Sequence, residues 1–296
     1  MRHALEQGNV MRAAAWLLLG VFSGLVLDLC AKQLLQSYSL IQFVVVRSSI
    51  TVALMLFIAP RYGGLTALKS KEIGWHILRA VMAIGAMFGF FYGLANMPLV
   101  NALTLGYTAP LLVTALSAIF LGDKVGWRRW SAVIIGFFGV LVMLRPGRSE
   151  LTLAEISVLI AAFCYATQAI TTRRLSLTES TMSLAFYAVV GPLLAGIVLF
   201  DPARHWVAPD SIGWVLFIAA GASSIGAWVG FVNGYRAVSP ASLAPLEYVA
   251  LVGGAIAGYL IWDEVPDAWV LSGAAIIVAS GIFVVYRGES REIEKD

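Results

Sequence analysis

The chain has 296 residues, 60% of them hydrophobic and only 12% charged, against about 45–50% and about 25% in an average soluble domain. A water-soluble core cannot hide that much apolar surface. The net charge of +3 comes from basic residues at the ends of apolar blocks, which points to a membrane and gives no support to a nucleic-acid partner.

Those blocks run about 18–25 residues, enough for a helix to cross ~30 Å of hydrocarbon. The first is expected over 13–31, after MRHALEQGNVMR. It is too long for a signal peptide and no A-x-A site follows, so it reads as span 1. Spans 2–5 follow at 39–59, 74–95, 99–121 and 129–145, and spans 6–10 at 153–172, 182–200, 211–235, 241–262 and 267–286. Breakers separate them, among them Pro60, Pro98, Pro146, Pro202, Pro209, Pro240 and Pro266. Pro110 and Pro192 fall inside spans 4 and 7, where each permits bending as a gate hinge or a tolerated kink.

Basic residues resist translocation, so their distribution sets orientation. With a cytoplasmic N-terminus, the cytoplasmic segments hold Arg2, Arg12, Arg61, Lys69, Lys71, Arg79, Lys124, Arg128, Arg129, Arg173, Arg174, Arg236, Arg287, Arg291 and Lys295; the other face holds Lys32, Arg145, Arg148 and Arg204. The bias predicts an even span count with both termini cytoplasmic.

The two halves repeat. GAMFGFFYG at Gly85–Gly93 matches GAWVGFVNG at Gly226–Gly234, with Gly85/Gly226, Ala86/Ala227, Gly89/Gly230, Phe90/Phe231 and Gly93/Gly234 identical at a shift of 141. With slips of about one residue the match continues through Pro98/Pro240, Ala102/Ala244, Asp123/Glu264, Trp127/Trp269 and Gly139/Gly281. The unit is five spans, an odd number, so the second copy enters the membrane inverted, an arrangement common in secondary transporters. The expected fold is an all-α polytopic membrane protein of ten transmembrane helices in two inverted five-helix repeats, 1–148 and 149–296.

Ionisable groups within spans cost several kcal/mol unless they face protein or water, so each is a functional candidate. Glu247 in span 9 is a candidate for proton uptake or for facing a cationic part of a solute. Arg47 in span 2 is a candidate for an anionic group, or for a structural bridge to a carboxylate. Asp28 and Lys32 sit one turn apart near the end of span 1, where an interfacial pair is the plainer expectation. Asn101, Thr104 and Thr108 make a polar stripe on span 4, beside Tyr107. Tyr165 and Gln168 on span 6, Tyr92 on span 3, Trp228 and Asn233 on span 8 and Tyr248 on span 9 complete the set that would line a cavity. Aromatic walls suit a flat or zwitterionic solute. Trp16, Trp75, Trp127, Trp130, Trp206 and Trp269 read as interfacial belts, and the glycine ladders as packing faces. His3, His76 and His205 fall at or beyond span ends, where solvated or interfacial imidazoles are expected. Cys30 and Cys164 lie in apolar blocks without metal-ligand spacing, and no catalytic or nucleotide-binding motif is present. No metal, no cofactor and no enzymatic activity are expected.

FVVVRSSI in span 2, HILRAVMAIGAMFGFFYGLANMPLVNALTLGYTAPLLVTALSAIFLGDKV across spans 3 and 4, and RAVSPASLAPLEYVALVGGAIAGYLIWDEVPD across spans 8 and 9 resemble the EamA-type, ten-helix branch of the drug/metabolite transporter superfamily. The resemblance covers essentially the whole chain and implies alternating access in a bacterial inner membrane, moving a small organic metabolite. The AP-x-[DE]-Y and DEVPD pattern is similar to the subgroup of bacterial riboflavin and S-adenosylmethionine carriers. Riboflavin uptake is the first expectation, with amino-acid or S-adenosylmethionine transport or export as alternatives, and a membrane enzyme or scaffold on the same fold as a further one. The implied partners are the solute, the lipid bilayer and a proton as candidate coupling ion. Direction of transport and oligomeric state stay open.

Overall fold

Hydrocarbon offers no water to backbone N–H and C=O groups, so each apolar block must close its hydrogen bonds within itself, as an α-helix does. The computed structural model describes residues 2–62, 64, 70, 72–122, 125–145, 151–175, 178–237 and 246–293, by backbone alone at 2–10, 62, 173, 181, 232, 234–237 and 285–293. The helices are α1 Arg2–Leu34, α2 Leu40–Ile58, α3 Ile73–Asn96, α4 Leu99–Gly106, α5 Ala109–Phe120, α6 Trp127–Leu144, α7 Leu153–Leu175, α8 Thr181–Leu199, the short α9 Pro202–His205, α10 Ser211–Ala237, α11 Val249–Trp262 and α12 Ala268–Ile293. Among the described residues there is no strand. Eight stretches are long and apolar enough to cross a membrane, α4 and α5 together forming one of them, and the last two apolar helices, Val249–Trp262 and Ala268–Val284, are shorter. The ten apolar helical stretches fall on the ten expected blocks.

The repeat is visible in helix ends. α1 stops at Leu34 and α7 at Leu175, 141 residues later. Ser39 caps α2 by accepting from the Gln42 amide at 3.1 Å, and Ser180, again 141 later, caps α8 by accepting from the Ser183 amide at 3.0 Å. Each serine oxygen satisfies an amide that has no partner within its own helix. Past α5 the chain turns at Gly122 with φ +69°; past α11 it turns at Asp263 with φ 56°. The inverted second copy thus reuses the stops and starts of the first.

By compactness the chain divides into two units. One is Met1–Leu25, Pro98–Leu151 and Gly226–Asp296; the other is Val26–Met97 and Thr152–Ile225. Each draws on both repeats, because the helices of one copy pack against those of the other. In the second unit the Gly85, Gly89, Gly93 ladder faces α7. A Cβ at Gly85 would lie 2.7 Å from the Cys164 sulfur, and one at Gly89 2.6 Å from the Ser157 carbonyl oxygen. Ser157 Oγ donates to the Gly89 carbonyl across that contact at 3.0 Å. In the first unit the repeat-related ladder faces α1, where Gly226 meets Ser23 and Gly230 meets the backbone of Gly20. Span 3 on span 6 is therefore mirrored by span 8 on span 1. The glycines serve close helix approach, as small residues do in membranes. Pro240 and Ala244 lie outside the described residues, as do Asp123 and Pro146.

Candidate functional site

In the first unit, two spans are interrupted at repeat-related places. Span 4 breaks between α4 and α5 because Pro110 has no N–H to give the Gly106 carbonyl. The chain there tightens, with Thr108 N bonded to Leu105 O and Leu111 N to Thr108 O, both three residues back. Span 9 shows a helical pair at 246–247, a turn at Tyr248, and then α11. Tyr107 and Tyr248, 141 residues apart, mark the two interruptions. Their rings lie 5.1 Å apart at 38°, and the Tyr107 hydroxyl donates to the Glu247 carbonyl oxygen at 2.7 Å. Tyr248 is further seated by Gly281, where a Cβ would collide with its hydroxyl. Glu247, next to Tyr248 in sequence, is half-buried. Interrupted helices at membrane depth are where carriers hold solutes, because freed backbone groups and polar side chains gather there.

The second unit contains the other candidate charge. Arg47 on α2 is buried, at 6% exposure. Its Nε and Nη2 donate to Ser224 Oγ on α10 at 3.2 and 2.8 Å, and its Nη1 lies 3.6 Å from Met87 Sδ. The guanidinium carbon stands 5.7 Å from the Phe91 ring centroid. Its backbone carbonyl accepts from Thr51 Oγ1 at 3.0 Å. These contacts are neutral, so the charge balance falls to Asp28, the half-buried carboxylate on α1 that acts on Arg47 electrostatically. Lys32, the expected partner of Asp28, extends its Nζ to the Met97 carbonyl at 3.0 Å and is buried.

The remaining expected residues spread out. On span 4, Asn101 is half-buried, while Thr104 and Thr108 are fully buried. Thr108 Oγ1 donates to the Leu105 carbonyl, and Thr104 Oγ1 has no partner among the described residues. Tyr92 and Trp228 are half-buried, and Tyr165 is 56% exposed. The Gln168 carbonyl accepts from Thr171 and Thr172 hydroxyls. Asn233 turns back on its own helix, donating to the Val229 carbonyl.

One group differs from expectation. His76, read as interfacial, is buried one turn inside α3 at 2% exposure, and Arg79, counted among the cytoplasmic basic residues, is buried at 3%. Arg79 Nη1 lies 3.4 Å from His76 Nδ1 and its Nη2 donates to the Leu184 carbonyl at 3.1 Å. Glu179, from the turn before α8, brings its carboxylate to 3.7 Å from His76 Nε2 and accepts from Ser70 and Ser183 hydroxyls. The His76 ring stacks on Tyr187 of α8 at 4.2 Å. The α7–α8 turn and α8 cover the start of α3, and that cover is invisible from position along the chain. The repeat held a signal: 141 residues after His76 and Arg79 stand Phe217 and Ala220, both buried apolar residues.

Among known proteins, the S-adenosylmethionine uptake transporter of Rickettsia prowazekii is 28% identical over 289 residues, covering 97% of this chain and 96% of that protein. The riboflavin transporter of Vibrio cholerae is 27% identical over 283 residues, 93% of each. The pseudopaline exporter CntI of Pseudomonas aeruginosa is 27% identical over 266 residues, covering 89% of this chain and 92% of that protein. A crystal structure 19% identical in sequence superposes with a TM-score of 0.65 over 95% of this chain and 99% of that one, a likeness of fold. The EamA-like transporter family matches twice, at residues 11–145 and 152–287, once per five-span set. With two matched copies, ten apolar helical stretches and transporter-named relatives along its length, the chain belongs to the EamA-like transporter family of the drug/metabolite transporter superfamily, a multi-pass membrane carrier of small metabolites and not an enzyme.

Proposed function

We propose that the solute is S-adenosylmethionine, taken up across a bacterial inner membrane by alternating access of the two inverted repeats, 1–148 and 149–296, with both termini cytoplasmic. The observation that carries the choice is Glu247 at the interruption of spans 4 and 9, its backbone carbonyl held by Tyr107 at 2.7 Å and its carboxylate acting electrostatically on Tyr248, with the two tyrosine rings 5.1 Å apart. Tyrosine rings suit the flat adenine, and the carboxylate suits the sulfonium and ammonium charges. Riboflavin, the first expectation from sequence, would use the rings but offers no cation to the carboxylate. The names of relatives matching almost the whole length support the same order. Once the solute has left, the Glu247 carboxylate takes up a proton in place of the solute cation, the proton being the candidate coupling ion. Arg47, Asp28, Asn101, Thr104, Tyr92, Tyr165, Gln168 and Trp228 are proposed as secondary contributors to solute handling.

The test is uptake of radiolabelled S-adenosylmethionine into proteoliposomes, run beside riboflavin. Saturable S-adenosylmethionine uptake is expected, falling at least roughly tenfold, or about 1.4 kcal/mol, in Glu247→Gln protein that stays monodisperse. Riboflavin entry without S-adenosylmethionine entry would reverse the assignment. Full flux in the Glu247→Gln protein would remove Glu247 from it. Binding adds a second readout, since a ligand at 100 times its dissociation constant stabilises the folded protein by ~2.7 kcal/mol.

A further inference from the structure

We propose that His76, Arg79 and Glu179 form a proton-binding site whose occupancy decides whether Arg79 holds α3 to α8. The site lies wholly within the second unit, whereas the Glu247 interruption belongs to the first, and it does not depend on which solute is carried.

The geometry admits one arrangement of hydrogens in the neutral state. Arginine has only donors, so the Arg79 Nη1 contact at 3.4 Å requires His76 Nδ1 to accept. The single imidazole proton is then on Nε2, which faces the Glu179 carboxylate at 3.7 Å, beyond hydrogen-bond reach. Both His76 Nε2 and Arg79 Nε lack a hydrogen-bond partner among the described residues. A second proton has one place to go, Nδ1, and there it meets an arginine N–H. The two donors cannot share that line, and like charges in a buried setting repel. Protonation therefore strengthens the His76–Glu179 attraction and expels Arg79 from His76.

Arg79 is also the tie to α8, through the Leu184 carbonyl at 3.1 Å. Its release loosens the first two turns of α8, where Ser183 and Tyr187 contact Glu179 and His76. The charged groups facing His76 are Arg79 from its own helix and Glu179 from the α7–α8 turn, with Tyr187 the titratable ring from α8. Glu72 begins α3 one turn earlier, and Arg174 of α7 stands over the neighbouring Trp75 at 4.4 Å. Imidazole is the side chain whose charge changes between pH 5 and 8.

The repeat supplies the contrast. At the related corner Phe217 and Ala220 replace His76 and Arg79, Tyr38 replaces Glu179, and Tyr38 meets Phe217 at 5.3 Å between ring centroids. The same backbone plan packs there without a titratable pair, so the ionisable group is not a requirement of the fold.

Purified full-length protein labelled with 15N-histidine contains three histidines, and His76 is assigned by its loss in His76→Gln. Its ring nitrogens are expected to change protonation state as the pH is lowered. Backbone hydrogen exchange of residues 181–188, referred to residues 40–47 at the related corner, is expected to speed up roughly tenfold on acidification across the titration, the effect of a one-unit change in proton affinity. His76→Phe and His76→Gln should each remove that difference. A His76 ring that keeps one protonation state from pH 5 to 8 would overturn the proposal. So would pH-dependent exchange that persists in His76→Gln, a variant that retains a polar side chain if His76→Phe does not fold.

Discussion

Two turns of the chain follow one plan with different chemistry. Between α1 and α2, Tyr38 lies against Phe217, and Phe43 of α2 stacks on Phe217 at 6.4 Å and meets Phe91 edge-on at 4.9 Å. Between α7 and α8, 141 residues on, Glu179 lies against His76 and Arg79. Both turns have a serine N-cap, and both cover the start of a glycine-bearing helix. Because the repeats are inverted, the two corners belong to opposite faces of the membrane. What they share is the scaffold, meaning caps, helix ends and close glycine contacts. What differs is whether the corner responds to protons: area burial does not, whereas a buried imidazole beside a carboxylate and a guanidinium does.

The largest effect that would sharpen this contrast is at the aromatic corner. Phe217 is completely buried, and Phe217→Ala is expected to cost about 3–5 kcal/mol through lost apolar burial and the cavity left behind. The loss should be equal at pH 5.5 and 7.5 by thermal unfolding in detergent. A pH-dependent loss would mean that the aromatic corner is coupled to a titrating group after all. At the charged corner, Glu179→Gln preserves shape but removes the charge that Ser70, Ser183 and His76 address. About 2 kcal/mol is expected to be lost at pH 7.5, the scale of a charge-assisted hydrogen bond. A substitution without cost there would show that the carboxylate is solvated and the corner only polar.

The contrast also explains what could be read from sequence. The ten blocks, the glycine ladders and the five-span repeat were legible because each is local: length against bilayer thickness, period along one helix, identity at a fixed shift. The break of span 4 at Pro110 was legible as a bend for the same reason. Position along the chain misled at His76, since its cover comes from Glu179 and from the helix of Leu184, whose carbonyl is 105 residues from Arg79. Thr104 shows the same limit of local pattern. Its helical register is that of a polar stripe, yet it is fully buried, because which face a span presents is decided by neighbours distant in sequence. Glu247 and Tyr107 stood out individually, but the hydroxyl-to-carbonyl bond that joins them at 2.7 Å could only come from the fold.

The smallest prediction tests the shared scaffold itself. Ser39 Oγ accepts from Gln42 N at 3.1 Å and Ser180 Oγ from Ser183 N at 3.0 Å, so the two caps are geometrically interchangeable. Ser39→Ala and Ser180→Ala should each cost about 1 kcal/mol, because each leaves one first-turn amide without its acceptor. Ser39 Oγ also donates to the His205 carbonyl at 3.2 Å, and if that bond contributes, Ser39→Ala costs a few tenths of a kcal/mol more than the loss of the cap alone. Unfolding midpoints of both variants, taken at pH 7.5, decide whether the repeated turns are equivalent in energy as they are in geometry. A Ser180→Ala loss several times that of Ser39→Ala would place the charged corner's stability in its cap and break the comparison, since the difference between the corners would then lie in the scaffold and not in the side chains it presents.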